Sequence, residues 1–107
     1  SSAASDVYKR QIKKIITKPN SKDLIVSFPK KYHEFIFEKG YIGINGCSLT
    51  LGKVNKNSFN IHLIPETLSV TNLDSLIEGS AINVEIDQNT ISIVETVKRT
   101  LAAQELR

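Results

Sequence analysis

The sequence predicts an all-β fold: a six-stranded antiparallel Greek-key β-barrel with short helices and one C-terminal α-helix. Three observations carry this. Short stretches of alternating apolar and polar residues recur, among them Phe59-Asn60-Ile61-His62-Leu63 and Ile82-Asn83-Val84-Glu85-Ile86, and a period of two sends successive side chains to opposite faces of a strand. Turn chemistry separates these stretches, most clearly at Asn45-Gly46. Near the C-terminus the period changes, and Ile91, Val94, Val97 and Leu101 fall at helical spacing. Several short strands at such spacing must close or cover their edges, which a Greek-key barrel does.

The elements follow in order. Ser1 to Gln11 (SSAASDVYKRQ) is small and polar, then basic, without an apolar period. It resembles translated adapter sequence at the ends of unrelated reading frames, and is set aside from the fold as a scar or a disordered terminus. Ile12 to Thr17 is apolar enough for a strand, and Lys18-Pro19-Asn20-Ser21 makes a turn. Leu24 to Phe28 is the second strand. Pro29 to Lys39 reads as a short helix with Gly40 at its C′ position.

Asn45-Gly46 suits a type I′ turn, which needs positive φ at both central residues, and joins Tyr41–Ile44 to Cys47–Val54 as a hairpin. Asn55 to Ser58 is a polar turn leading into Phe59–Leu63. Pro65 opens a short helix at N1, Leu73 to Gly79 is a turn or short helix, and Ala81–Ile86 is the last strand. The expected organisation is thus a terminal segment at 1–11, a barrel at 12–88 and an amphipathic helix at 89–107. The stripe on that helix either packs back on the barrel or meets the same helix of another subunit.

With 107 residues, 40% of them hydrophobic and 23% charged, the chain has the composition of one globular domain. A net charge of +3 invites a nucleic-acid reading, yet Lys9, Arg10, Lys13, Lys14 and Lys18 crowd the N-terminus and the remainder is nearly balanced. That is not the distribution of a nucleic-acid footprint. No apolar run approaches the ~20 residues of a membrane span, so no membrane partner is expected. The single cysteine, Cys47, rules out an intrachain disulfide and fits a reducing, cytoplasmic setting.

Few residues offer chemistry by themselves. Cys47 shares a face with Leu49 and Leu51 and reads as core. Ser48 and Thr50 share the opposite face, where two hydroxyls could bind a polar ligand edge or simply be solvated. His33 and His62 supply no metal-ligand cluster. His62, on the polar side of its strand, could contact a ligand or act as a base. Glu85 and Asp87 end the last strand as carboxylates of open role.

The order of the motifs adds what local pattern does not. Lys39-Gly40-Tyr41-Ile42-Gly43-Ile44-Asn45-Gly46-Cys47-Ser48-Leu49-Thr50, then His62-Leu63-Ile64-Pro65-Glu66-Thr67-Leu68, then Val84-Glu85-Ile86-Asp87, together resemble the C-terminal barrel of the riboflavin synthase family, from about Ile12 to Ala103. The resemblance implies a lumazine-binding barrel from an enzyme that works as a homotrimer and needs neither metal nor organic cofactor. The family converts two molecules of 6,7-dimethyl-8-ribityllumazine into riboflavin and a 5-amino-6-ribitylamino-pyrimidinedione, with the N-terminal barrel of one subunit facing the C-terminal barrel of its neighbour.

By the same resemblance, Lys39, Ser48, Leu49, Thr50, His62, Leu63, Ile64, Pro65, Glu66 and Thr67 would bind substrate, and Ser48 and Asp87 would matter for turnover. The family's functional cysteine belongs to the other barrel and aligns with Ser48, so Cys47 loses its claim. The implied activity is that of a fragment, inactive alone. The alternative is a non-catalytic lumazine or flavin carrier.

Overall fold

The computed structural model describes residues 7–105, with side chains at all of them except Ser69 and Val70. The first six residues and the last two lie outside it. Six antiparallel strands close a barrel: β1 (Val7–Lys18), β2 (Ser21–Ser27), β3 (Tyr41–Ile44), β4 (Cys47–Val54), β5 (Ser58–Leu63) and β6 (Ala81–Ile86). Their order round the barrel is β1-β2-β5-β4-β3-β6, so β5 returns to lie beside β2 as a Greek key requires. Helix α1 (Pro65–Val70) follows β5, and helix α2 (Gln88–Glu105) follows β6.

Alternation builds the core. Ile82, Val84 and Ile86 of β6, Phe59, Ile61 and Leu63 of β5, and Leu24 and Val26 of β2 are buried together with Ile42, Ile44 and Leu51. Phe28 stacks on Phe59 with ring centroids 6.1 Å apart and closes one end. Each such aliphatic side chain contributes about 1.5–3 kcal/mol through its removal from water.

Two sequence expectations are corrected here. The strand expected from Ile12 begins at Val7, and Val7–Gln11 pair with Glu85–Ala81 of β6. The segment set aside at 1–11 therefore supplies, from Val7 onward, the first five of the twelve residues of the strand that closes the barrel. A bulge between Ile12 and Lys14 turns the same strand from β6 to β2, as bulges do at barrel corners. The alternation was hidden because Arg10 takes an inward position between half-buried Tyr8 and buried Ile12, where an apolar residue would have revealed it. Backbone pairing with β6 is indifferent to that substitution. Tyr8 stacks on Tyr32 at 5.0 Å, with the Arg10 guanidinium 5.9 Å from the Tyr8 ring.

The second correction concerns the segment after β2. Only Lys30–Phe35 is helical, as a 3-10 helix, and Ile36 is extended. The left-handed residue is Lys39, at φ 68°, rather than Gly40. Gly40 is needed for closeness instead: a Cβ there would stand 3.0 Å from the Phe37 carbonyl oxygen. The hairpin turn is as expected, with φ of 50° at Asn45 and 82° at Gly46. Its Asn45 side chain also accepts from the Asn83 amide at 2.8 Å, which ties the hairpin to β6.

The C-terminal helix starts at Gln88, one residue before the expected 89, and divides its apolar residues. Thr90 is buried and Ile91 packs against the core, while Ile93, Val97 and Leu101 are more than half exposed. Among the described residues no helix is long and apolar enough to cross a membrane.

Candidate ligand-binding face

Strand β4 is the centre of the candidate site. Its inward residues are Leu51, which is buried, and Cys47 and Leu49, which are half-buried; Ser48 and Thr50 are exposed on the outer face. Cys47 pairs with Ile44 across the turn, on the core side as the alternation indicated.

Register brings further residues beside these hydroxyls. Tyr41 of β3 lies opposite Thr50, and Gly43 opposite Ser48. On the other side the β4–β5 ladder pairs Leu51 with Ile61, so one step further along each strand Thr50 and His62 come level. Both are exposed. Ile64, the residue after β5, is 43% exposed and Tyr41 57%, which leaves two large apolar side chains flanking the hydroxyls. Leu63 is fully buried, so its side chain serves the core and only its backbone faces this region.

The ladder between β4 and β5 is also incomplete. It pairs Leu51 with Ile61 and Val54 with Phe59, and among the described residues neither Cys47–Thr50 nor His62–Leu63 takes part in it. These stretches are bonded on their other sides, to β3 and to β2. The paired ladder thus ends at Leu51–Ile61, before it reaches Thr50 and His62.

Lys39 stands at the near end of this face. Its amide donates to the Leu51 carbonyl at 3.0 Å, and the Leu51 amide donates to the Gly40 carbonyl at 2.8 Å, so the exposed Lys39 side chain is anchored one residue from Thr50. Pro65 occupies the first turn of α1 with Glu66, both exposed. Thr67 is half-buried, and its carbonyl accepts from the Thr71 hydroxyl at 2.8 Å.

Asp87 follows β6 one step beyond the Ile42–Ile86 pair, which brings it level with Tyr41 and two strands from Thr50. Its Oδ2 accepts from the Thr90 amide and hydroxyl, both at 2.9 Å. It is the N-cap of α2, a local role that satisfies an otherwise orphan helix donor.

The sequence reading missed Asp23. This buried β2 residue pairs with His62 in the sheet and accepts from His62 Nδ1 at 2.6 Å and from Lys18 Nζ at 3.2 Å. Burial pushes its carboxyl up, but the hydrogen bonds from His62 and Lys18, with the Lys18 charge, outweigh that and hold it below the usual carboxylate range. The available signal was an acid directly preceding the apolar run Leu24-Ile25-Val26.

Neither of two clefts includes Ser48, Thr50 or His62, though the second includes Pro65. One of about 600 Å³ is lined by Lys30, Lys31, His33, Glu34, Lys56 and Asn57, none of them a predicted site residue. A second of about 570 Å³ includes Lys18, Lys22, Pro65 and Leu68. Ser48, Thr50 and His62 are all exposed. Among the described residues no group of three or more His, Cys, Asp or Glu side chains could hold a metal ion.

Comparison with known proteins decides the family. The lumazine binding domain model matches residues 8–87. The chain belongs to the lumazine-binding domain family. The matched span starts within β1 and ends at the Asp87 cap, so it is the barrel itself. The barrel is similar to riboflavin synthase of Escherichia coli (strain K12), 42% identical over 96 residues that cover 89% of this chain and 45% of that protein. It is also similar to riboflavin synthase of Chlamydia pneumoniae, 49% identical over 74 residues, covering 69% of this chain and 37% of that one. The chain spans less than half the length of these relatives.

Proposed function

We propose that this lumazine-binding barrel is the C-terminal half of a riboflavin synthase and holds one molecule of 6,7-dimethyl-8-ribityllumazine on its outer face. The end of the β4–β5 ladder beside the exposed Ser48, Thr50 and His62 carries this reading. The pyrimidinedione edge of a lumazine presents alternating carbonyl and N–H groups, which pair with strand backbone and with the hydroxyls of Ser48 and Thr50. Leu49, Leu63 and Ile64 contribute backbone and apolar contact, Lys39 reaches from its anchored turn, and His62 and Pro65 to Thr67 line the ribityl arm.

In the full reaction a four-carbon unit passes from one lumazine to a second, giving riboflavin and 5-amino-6-ribitylamino-pyrimidinedione. The C7 methyl of lumazine is acidic because its anion delocalises over the ring system. Holding two rings face to face therefore supplies much of the acceleration through proximity, and Ser48 donates to the developing charge. No metal or organic cofactor enters this scheme.

The second lumazine sits on the N-terminal barrel of a neighbouring subunit in a homotrimer, which the exposed half of α2 helps to join. The chain by itself binds ligand weakly and does not turn over. A fluorescence titration with 6,7-dimethyl-8-ribityllumazine on wild type and Ser48→Ala, followed by a riboflavin assay, tests the reading. Weaker binding in Ser48→Ala and no riboflavin are expected. Equal binding by the two proteins discards the site, and steady riboflavin formation discards the dependence on a second barrel.

A further inference from the structure

The Asp23–His62 contact does more than join two strands. An ionised carboxylate can only accept hydrogen bonds, so at 2.6 Å the proton between Asp23 Oδ1 and His62 Nδ1 belongs to the imidazole. A neutral His62 then carries its hydrogen on Nδ1 and presents Nε2 as a bare acceptor. Lys18 occupies the other oxygen, Oδ2, which keeps Asp23 ionised and fixes its rotation. The geometry is asymmetric in exposure: the Asp23 side chain is 9% exposed and that of His62 55%. A buried acid holds the near nitrogen, and the rest of the ring lies on the exposed side of the strand.

We propose that Asp23 is a positioning residue for ligand selection: it locks His62 in the Nδ1–H tautomer, so that Nε2 accepts a hydrogen bond from a hydroxyl of the ligand's polyol arm. This inference rests on the lumazine reading above. It assigns to the pair discrimination between a ribityl-bearing heterocycle and the same ring without the polyol. Recognition of a hydroxyl by a fixed acceptor is effective because the acceptor is left unpaired when the hydroxyl is missing. Without Asp23 the imidazole rotates and either nitrogen carries the proton, so half of its states present a donor or no group at all.

The experiment uses the 107-residue chain, two ligands and one spectroscopic signature. Fluorescence titrations compare 6,7-dimethyl-8-ribityllumazine with 6,7,8-trimethyllumazine, for wild type, Asp23→Ala and the near-isosteric Asp23→Asn. Long-range ¹⁵N–¹H correlation spectra report which His62 nitrogen is protonated. Wild type should show the Nδ1–H form. Asp23→Ala should lose that preference and about tenfold in affinity for the ribityl compound, the scale of one hydrogen bond, with trimethyllumazine affinity unchanged.

Equal losses for both ligands mean that Asp23 acts only through the fold and overturn the proposal, as does an Nε2–H form in wild type. Should Asp23→Ala not fold, Asp23→Asn carries the same comparison: with its oxygen held by Lys18, its amide N–H donates to His62 Nδ1 and reverses the tautomer, and an unchanged ligand ratio in it overturns the proposal. Wild type that binds neither ligand overturns the lumazine reading itself, an outcome separate from binding without discrimination.

Discussion

Asp87 Oδ2 receives both the backbone amide and the side-chain hydroxyl of Thr90, each at 2.9 Å, so the residue that ends the barrel also starts the helix. Capping explains why α2 begins at Gln88 and not at the first apolar-periodic residue. It also separates two roles that one carboxylate could combine. Asp87→Ala should destabilise the chain by about 1 kcal/mol. Asp87→Asn should cost little, since asparagine caps as well as aspartate. Chemical denaturation of the two variants checks this. If the carboxylate also serves turnover, Asp87→Asn in an assembled two-barrel enzyme loses riboflavin formation at unchanged stability.

The acid limb of stability should depend on Asp23. Its folded carboxyl is held below the usual range, so its contribution is fully present above the unfolded value near 4. It is lost as pH falls from there through the lowered folded value, because the unfolded state takes up the proton first. Asp23→Asn should therefore be less stable than wild type at neutral pH, with a gap that narrows below about pH 4. Thermal melts across that window decide it; a constant gap refutes it.

Tyr8 governs the alkaline limb. Burial pushes its phenol well above the ordinary value, against the lowering effect of Arg10 and with a smaller raising effect from Tyr32. The unfolded phenol ionises near pH 10 while the folded one stays protonated, so stability falls as pH rises beyond that point. The Tyr8 hydroxyl is also buried without a hydrogen-bond partner among the described residues. Tyr8→Phe removes both liabilities, and should raise stability by about 1 kcal/mol at neutral pH and flatten the loss above pH 10. Melting temperatures at neutral and alkaline pH provide the check.

Much of this fold was legible because alternation and turn chemistry are local. The β3–β4 hairpin follows from Asn45-Gly46, and the inward sides of β5 and β6 follow from their period of two. The first half of β1 was not legible, since Arg10 at an inward position breaks the pattern while the backbone still pairs. Within the site, Ser48 and Thr50 could be placed on one face from spacing alone. Asp23 could not, because its meaning depends on β2 lying beside β5, a neighbour 39 residues away in sequence. Asp87 was legible as a residue of interest through family resemblance, but its cap contact is a matter of three-dimensional geometry.

Lys39 holds a left-handed conformation, φ 68°, that glycine adopts without penalty. For an ordinary side chain this conformation costs roughly 1 kcal/mol, and such strain persists where a side chain is wanted for another purpose. Lys39→Gly should stabilise the chain by about 0.5 kcal/mol, the strain relieved minus the added freedom of the unfolded chain. If Lys39 reaches a ligand, the same substitution weakens lumazine binding. Stability and affinity measured on one variant should move in opposite directions, and a parallel change refutes the trade.

The outer stripe of α2 yields the last prediction. Thr90 and Ile91 seat the first turn against the barrel, and Lys98 bonds Glu34 at 3.0 Å further along. Ile93, Val97 and Leu101, spaced by four, nevertheless remain 65%, 51% and 55% exposed. They form one apolar line on the side of the helix that the barrel does not cover. Spacing by four places them on the same face of successive turns, and an aligned set of this kind is better explained by a second surface than by scattered exposure. Sedimentation velocity should therefore show wild type associating with rising concentration and Leu101→Glu remaining monomeric. Thermal stability of the barrel should be little changed in the variant, because Leu101 touches none of the core. Wild type that stays monomeric at millimolar concentration would remove the self-association reading.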